Sequence, residues 1–228
     1  MNAWLTALLI AATAGAYVLA RLAAKRFPSP FTTPVFFSTA LVVALLAGAG
    51  IPVADYGQAK DIMIFLLGPA TVGLAVPLYK NRRVVFEHAL PALCALAVGS
   101  VSTLIVVLLV ANVAQLSPIV SASISIKSVT APIAIELATL VQGNPALTAA
   151  FVIVTGMIGA MFGPRLMDIT GITDPLARGL ALGTIAHGQG TAQAVTEGEL
   201  QGAAAGIAMA LTAVLTAVIA PTLVPQLL

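Results

Sequence analysis

Apolar residues along this chain come in long uncharged blocks parted by short polar or proline-rich breaks. Blocks of roughly 17 to 25 residues match the hydrocarbon thickness of a bilayer when helical. The blocks predict six helices, at 2–20, 34–54, 61–79, 89–114, 145–162 and 201–222. Trp4 and Tyr17 stand near the ends of the first, where amphipathic rings suit the membrane interface. Pro28, Pro30 and Pro34 separate the first two helices, because such a run cannot continue a helix. Gly68-Pro69-Ala70-Thr71 and Pro77 predict a kink in the third, although the former could also line a cavity.

Two interrupted stretches flank the fifth helix, and they are an approximate repeat. Ser117 to Gly143 reads SPIVSASISIKSVTAPIAIELATLVQG, and Asp174 to Gly202 reads DPLARGLALGTIAHGQGTAQAVTEGELQG. Each opens on a polar residue and proline and passes through small apolar residues to Lys127 or His187. Thr-Ala follows, at Thr130 and Thr191, then a glutamate, Glu136 or Glu197, and a closing Gln-Gly. In a membrane protein, paired interruptions in two halves point to a transport site.

Composition places the chain in that class. Of 228 residues, 60% are hydrophobic and 8% are charged, and the mean hydropathy is +1.07. That leaves too little polar surface to coat a soluble globule. The expected fold is an all-α polytopic membrane protein with about six spanning helices and two broken or re-entrant elements in an inverted repeat. Residues 1–87 form an N-terminal scaffold or dimerisation part, and 88–228 form a part that contains the repeat at 118–143 and 175–202. The single cysteine, Cys94, precludes an intramolecular disulfide and reads as a packing residue. A net charge of +2, with basic residues in short loops, gives no footprint for nucleic acid.

Charge sets the expected orientation. Cytoplasmic loops are rich in Lys and Arg, which puts Arg21, Lys25, Arg26, Lys80, Arg82 and Arg83 inside. If the first broken stretch enters from outside, turns near Lys127 to Ala131 and returns, Arg165 and Arg178 also fall inside. Of ten basic residues only Lys60 and Lys127 then lie elsewhere. Two hairpins entering from opposite faces fit better than discontinuous helices that cross fully, though both remain open here.

The chemistry follows from the breaks. Irregular backbone at membrane depth survives only where it is buried in protein or lines a wet cavity. The breaks are expected at Ser128-Val129-Thr130 and at Gly188-Gln189-Gly190, each followed by a helical arm that Thr130 or Thr191 would cap. Helix N-termini attract anions, and a buried Lys127 would add charge. The substrate-binding set is therefore Lys127, Ser128, Thr130, His187, Gly188, Gln189, Gly190 and Thr191. Glu136 and Glu197 are candidates for ion coupling, although either could simply pair with a basic group. His187 could equally be a packing histidine. Ser121, Ser123 and Ser125 read as helix-contact hydroxyls, and His88 beside Glu87 and Arg83 as a loop residue. With two histidines and no nucleophile or phosphate motif, neither an enzyme nor a metal or cofactor is expected.

TPVFFSTALVVAL (33–45), FLLGPATVGLAVPLYKNR (65–82), SISIKSVTAPIAIELA (123–138) and GTIAHGQGTAQA (183–194) make the chain resemble the LrgB/CidB family of bacterial inner-membrane proteins over nearly its full length. The resemblance implies a multi-pass protein of the bacterial inner membrane, often described as antiholin-like or as a murein-hydrolase regulator, with a small LrgA/CidA-type partner. It also implies kinship with plant plastid glycolate/glycerate transporters and with bacterial proteins linked to pyruvate. Two readings result. One is a carrier of small monocarboxylate anions, dimeric and elevator-like. The other is a holin- or antiholin-like protein that modulates cell lysis, which would need no chemically specific pocket.

Overall fold

A computed structural model describes residues 3–73 and 75–228, with the side chains of Leu67, Gly68, Ala70, Thr71, Ala75 and Pro77 outside the description. The regular elements among the described residues are helical. The chain divides into two compact units, Met1–Ala75 and Val76–Leu228.

In the first unit α1 spans Ala3–Arg26, α2 Pro34–Gly48 and α3 Gly57–Gly73. Lys25 and Arg26 close α1 in its last turn, where cations complement the helix dipole. Ser29 then caps a short 3-10 turn by accepting a hydrogen bond from the Phe31 N–H at 3.3 Å. Pro34 occupies the first turn of α2, where its missing N–H is not needed. α2 stops well before residue 54, because Gly50 takes φ +64° and the Ile51 N–H turns back to the Leu46 carbonyl at 2.9 Å. α3 runs through Pro69 without interruption and ends at Gly73, so Leu74, inside the helix predicted at 61–79, lies outside the described residues. Leu9, Leu46 and Ala59 form the core of this unit. The Thr13 and Tyr56 hydroxyls meet at 2.8 Å, and the Thr6 hydroxyl donates to Gln58 Oε1 at 3.0 Å, tying α1 to the start of α3.

The second unit holds α4 (Ala75–Lys80) from its second residue on, α5 (Arg82–Glu87), α6 (Ala89–Val113), α7 (Pro118–Ser125), α8 (Ala131–Leu140), α9 (Pro145–Ile169), α10 (Pro175–Glu197) and α11 (Glu199–Leu227). Proline begins α7, α9 and α10, and the preceding Asn144 and Asp174 side chains cap α9 and α10 at 2.9 and 2.8 Å. One apolar cluster joins α6, α8, α9 and α11 through Leu104, Leu108, Leu137, Val141, Val152 and Val224. α10 packs on α11 through small residues, since Gly179, Gly183, Ala204, Ala205 and Ala208 are all buried. Close backbone approach of this kind is how helices associate where lipid supplies no hydrophobic drive.

Among the described residues four helices, α1, α6, α9 and α11, are long and apolar enough to span a membrane. The expectation of about six is met only to that extent. α2 has 15 residues, short of the roughly 20 that a span needs, and α3 brings Lys60 and Asp61 into its first turns.

Candidate functional site

Both interrupted stretches fold back on themselves. In the first, α7 ends at Ser125, residues 126–130 leave helical geometry, and α8 begins at Ala131. The break expected at Ser128-Val129-Thr130 is therefore seen, slightly longer. Beyond α8 the chain returns to α7, where the Asn144 N–H donates to Ser123 Oγ at 2.8 Å and Thr148 Oγ1 donates to the Ser123 carbonyl at 3.2 Å.

The second reversal is sharper. The Arg178 guanidinium reaches Glu197 Oε2 at 2.7 Å, whereas an unbroken helix would set residues 19 apart in sequence about 28 Å apart along its axis. The turn lies at His187, with φ 41° and ψ −129°. Gly190 then presses on the Leu182 carbonyl oxygen so closely that no Cβ fits between them. The break is thus at His187 rather than at Gly188-Gln189-Gly190, which lie in the second helical arm. A non-glycine residue at positive φ costs of order 1–3 kcal/mol and persists only where its surroundings hold it. Here the buried His187 ring donates its Nε2 hydrogen to the Val152 carbonyl of α9 at 3.0 Å. That bond leaves Nδ1 as the basic nitrogen of the ring. Gly156 makes room for the ring, because a Cβ there would stand 2.6 Å from His187 Cε1 and 2.8 Å from Gln189 Oε1.

The two reversals open from opposite ends of α9. Ser123 meets its N-terminal end, while Arg178, bonded to Asp168 Oδ1 at 2.7 Å, meets its C-terminal end. Their tips converge. A cavity of about 430 Å³ is lined by Ser102, Thr103, Val106 and Val110 of α6, by Lys127 of the first tip, and by Ile185, two residues before His187. Lys127 is half-buried, and its Nζ donates to the Ser128 hydroxyl at 3.2 Å. No carboxylate pairs with it among the described residues. A second cavity, of about 640 Å³ in the first unit, is lined by residues such as Ile10, Tyr17, Val42 and Met63 and has no charged side chain to hold an ion.

The remaining predicted residues separate into those engaged and those apart. Thr130 stands at the N-cap of α8 but makes no side-chain capping bond. Thr191 is not a cap either, because it lies inside the second arm, and its hydroxyl donates to the His187 carbonyl at 2.9 Å. Gly188 is exposed, its nearest would-be neighbour being Met209 Sδ at 3.9 Å from an added Cβ. Glu136 is exposed on α8. Glu197 closes the base of the second hairpin with Arg178. Sequence reasoning missed Ser102, Thr103 and Gln193. The last was legible, since Gln189, Gln193 and Glu197 recur every four residues and must share one helix face. Among the described residues no three His, Cys, Asp or Glu side chains group as a metal site would require.

Among the described residues, the helical architecture, four helices fit to span and an open cavity between two chain reversals define a polytopic membrane protein. The chain belongs to the LrgB-like family, whose model matches residues 13–226. Two Bacillus subtilis (strain 168) relatives are similar to it. The uncharacterized protein YwbG is 36% identical over 78% of this chain and 79% of its own. The uncharacterized protein YxaC is 35% identical over 87% of this chain and 86% of its own. No solved structure matches the chain.

Proposed function

We propose that the protein is a carrier of small monocarboxylate anions, 2-hydroxy or 2-keto acids such as glycolate, glycerate, pyruvate or lactate, working by alternating access in the bacterial inner membrane. The observation that carries this reading is Lys127, a half-buried ammonium without a carboxylate partner, facing a cavity between the two chain reversals. A cation at membrane depth is expensive unless paired or solvated, and an anionic substrate supplies the missing partner. The arms that follow each tip begin with amides that no preceding turn can bond, which adds partial positive charge where the carboxylate would sit. On this reading the two hairpins are re-entrant and enter from opposite faces as an inverted pair. The Lys80–Glu199 ion pair at 3.2 Å sets the basic loop after α4 at the same end of the unit as the base of the second hairpin, in keeping with a common cytoplasmic side. A homodimer, with or without a small LrgA/CidA-type partner, is part of the same proposal.

The test is uptake of the four labelled acids into proteoliposomes. Wild-type protein should accumulate at least one of them, and Lys127→Ala should cut that flux at least about tenfold, the scale of one lost charge-assisted bond. Unchanged flux in Lys127→Ala refutes the site. Absence of flux for all four acids, together with altered autolysis of cells lacking the protein, would favour the antiholin-like role.

A further inference from the structure

The second arm of α10 carries a polar row with no assigned use. Gln189, Gln193 and Glu197 fall on one helix face, and each buries a side-chain oxygen without a hydrogen-bond partner, Oε1 in all three cases. Buried acceptors are nearly always satisfied, so three orphans in register on one short arm ask for a donor that comes and goes. Spacing says which donor. Four helical residues rise about 6 Å, and two hydrogen bonds through one water span about 5.5 Å, so single waters can bridge successive members. A bound metal cation instead needs several oxygens converging at about 2.5 Å, which a row about 12 Å long cannot offer.

We propose that this row is the proton path of the carrier, linking Glu197 at the base of the second hairpin to His187 Nδ1 at its tip. The inference rests on the carrier reading above and names its coupling ion. Charged groups gather at the base. The single Arg178 guanidinium faces two carboxylates, Glu197 on its own hairpin and Asp168 on α9. The neighbouring Lys80–Glu199 pair, from α4 and α11, is balanced. At the tip, His187 Nε2 is held by Val152, so the incoming proton binds Nδ1. Lys127, on the first hairpin, is the charged group that acts on the ring electrostatically. Repulsion between the imidazolium and Lys127 falls when a carboxylate lies between them, which makes proton and anion bind together. The step is balanced. One proton from the outer water joins Nδ1 with the anion, and as the anion departs it passes along the bridging waters past Gln189, Gln193 and Glu197 into the water at the base.

The experiment compares two modes of transport in proteoliposomes with a pH-sensitive dye inside. Counterflow of a labelled acid at equal concentrations needs no net proton movement, whereas accumulation driven by acid outside does. Gln193→Leu should keep counterflow within about twofold and lose gradient-driven accumulation at least about tenfold, an ordinary coupling between sites, along with the dye signal. Gln193→His, which can still pass a proton, should retain accumulation. Replacing an unpartnered amide by an apolar group does not remove a bond, so Gln193→Leu should melt no lower than the wild type. The path is overturned if Gln193→Leu and Glu197→Gln both accumulate substrate like the wild type, or if wild-type uptake ignores the pH gradient; either result leaves the carrier standing. A wild type with no counterflow of any of the four acids overturns the carrier reading itself.

Discussion

Gly190→Ala compared with Gly188→Ala tests the reversal at His187 directly. A Cβ at Gly190 would fall against the Leu182 carbonyl oxygen and 2.8 Å from Ala186 Cβ, and neither a backbone oxygen nor an alanine methyl can swing aside. A Cβ at Gly188 would meet nothing closer than Met209 Sδ at 3.9 Å, an ordinary contact with a flexible side chain. Both glycines lie in the helical second arm, so each alanine gains about the same 1 kcal/mol of helix propensity. That gain cancels in the difference between the two variants. What remains is the overpacking at Gly190, about 1–3 kcal/mol. For a chain of this size about 1 kcal/mol moves a melting temperature by roughly 2–4 °C, so Gly190→Ala should melt roughly 2–12 °C below Gly188→Ala.

Circular dichroism melts of the two purified variants in one detergent supply the comparison. Were α10 a continuous helix, residues 182 and 190 would stand about 12 Å apart along its axis, and neither alanine would meet the other arm. Two variants that melt together, or in the reverse order, would therefore refute the fold-back and leave the convergence of the two tips without support.

Two further results follow from the same geometry. Thr130→Ala should lower stability by less than about 0.5 kcal/mol, against the roughly 1 kcal/mol lost with a working N-cap, because the Thr130 side chain makes no capping bond; chemical denaturation in detergent measures it. With Cys94→Ser as background, Asn144→Cys and Gly171→Cys should react with impermeant thiol reagents from opposite faces, Asn144 outside and Gly171 inside, since they flank α9, which is long enough to span; labelling of intact cells and inverted vesicles reads the result, and the reverse assignment would favour full crossings.

What could be read in advance depended on whether a residue acts through local chemistry or through a neighbour. The first break was legible because Thr130-Ala131-Pro132 places proline in a first helical turn, a purely local rule. The second was misplaced by a residue or more, for a physical reason. Gly188 and Gly190 suggest a backbone that needs positive φ, yet in the structure the positive φ belongs to His187, and Gly190 serves close approach to Leu182. A sequence does not distinguish a glycine kept for its dihedral freedom from one kept for want of a Cβ. The early end of α2 had its cause in Gly50, whose left-handed turn was there to be weighed. The extension of α9 through Pro164 to Ile169 could not be seen locally, because an internal proline argues for a stop and only tertiary packing overrides it.

Fold and site are linked by the way each break satisfies its own polar groups. At the first, the Ser123 hydroxyl accepts from Asn144 and donates to the Ile119 carbonyl at 2.6 Å, while Thr148 donates to the Ser123 carbonyl. At the second, Thr191 donates to the His187 carbonyl and His187 to the Val152 carbonyl. The hydroxyls of Ser123, Thr148 and Thr191, the last of them a substrate candidate in the sequence, are thus occupied in holding irregular backbone, as a low-dielectric interior requires. The Lys127 ammonium and His187 Nδ1 then remain for the substrate, and the unpartnered oxygens of Gln189, Gln193 and Glu197 for the proton. These groups have bonding capacity to spare, and a solute that carries one negative charge and travels with one proton would use both the cation and the acceptors.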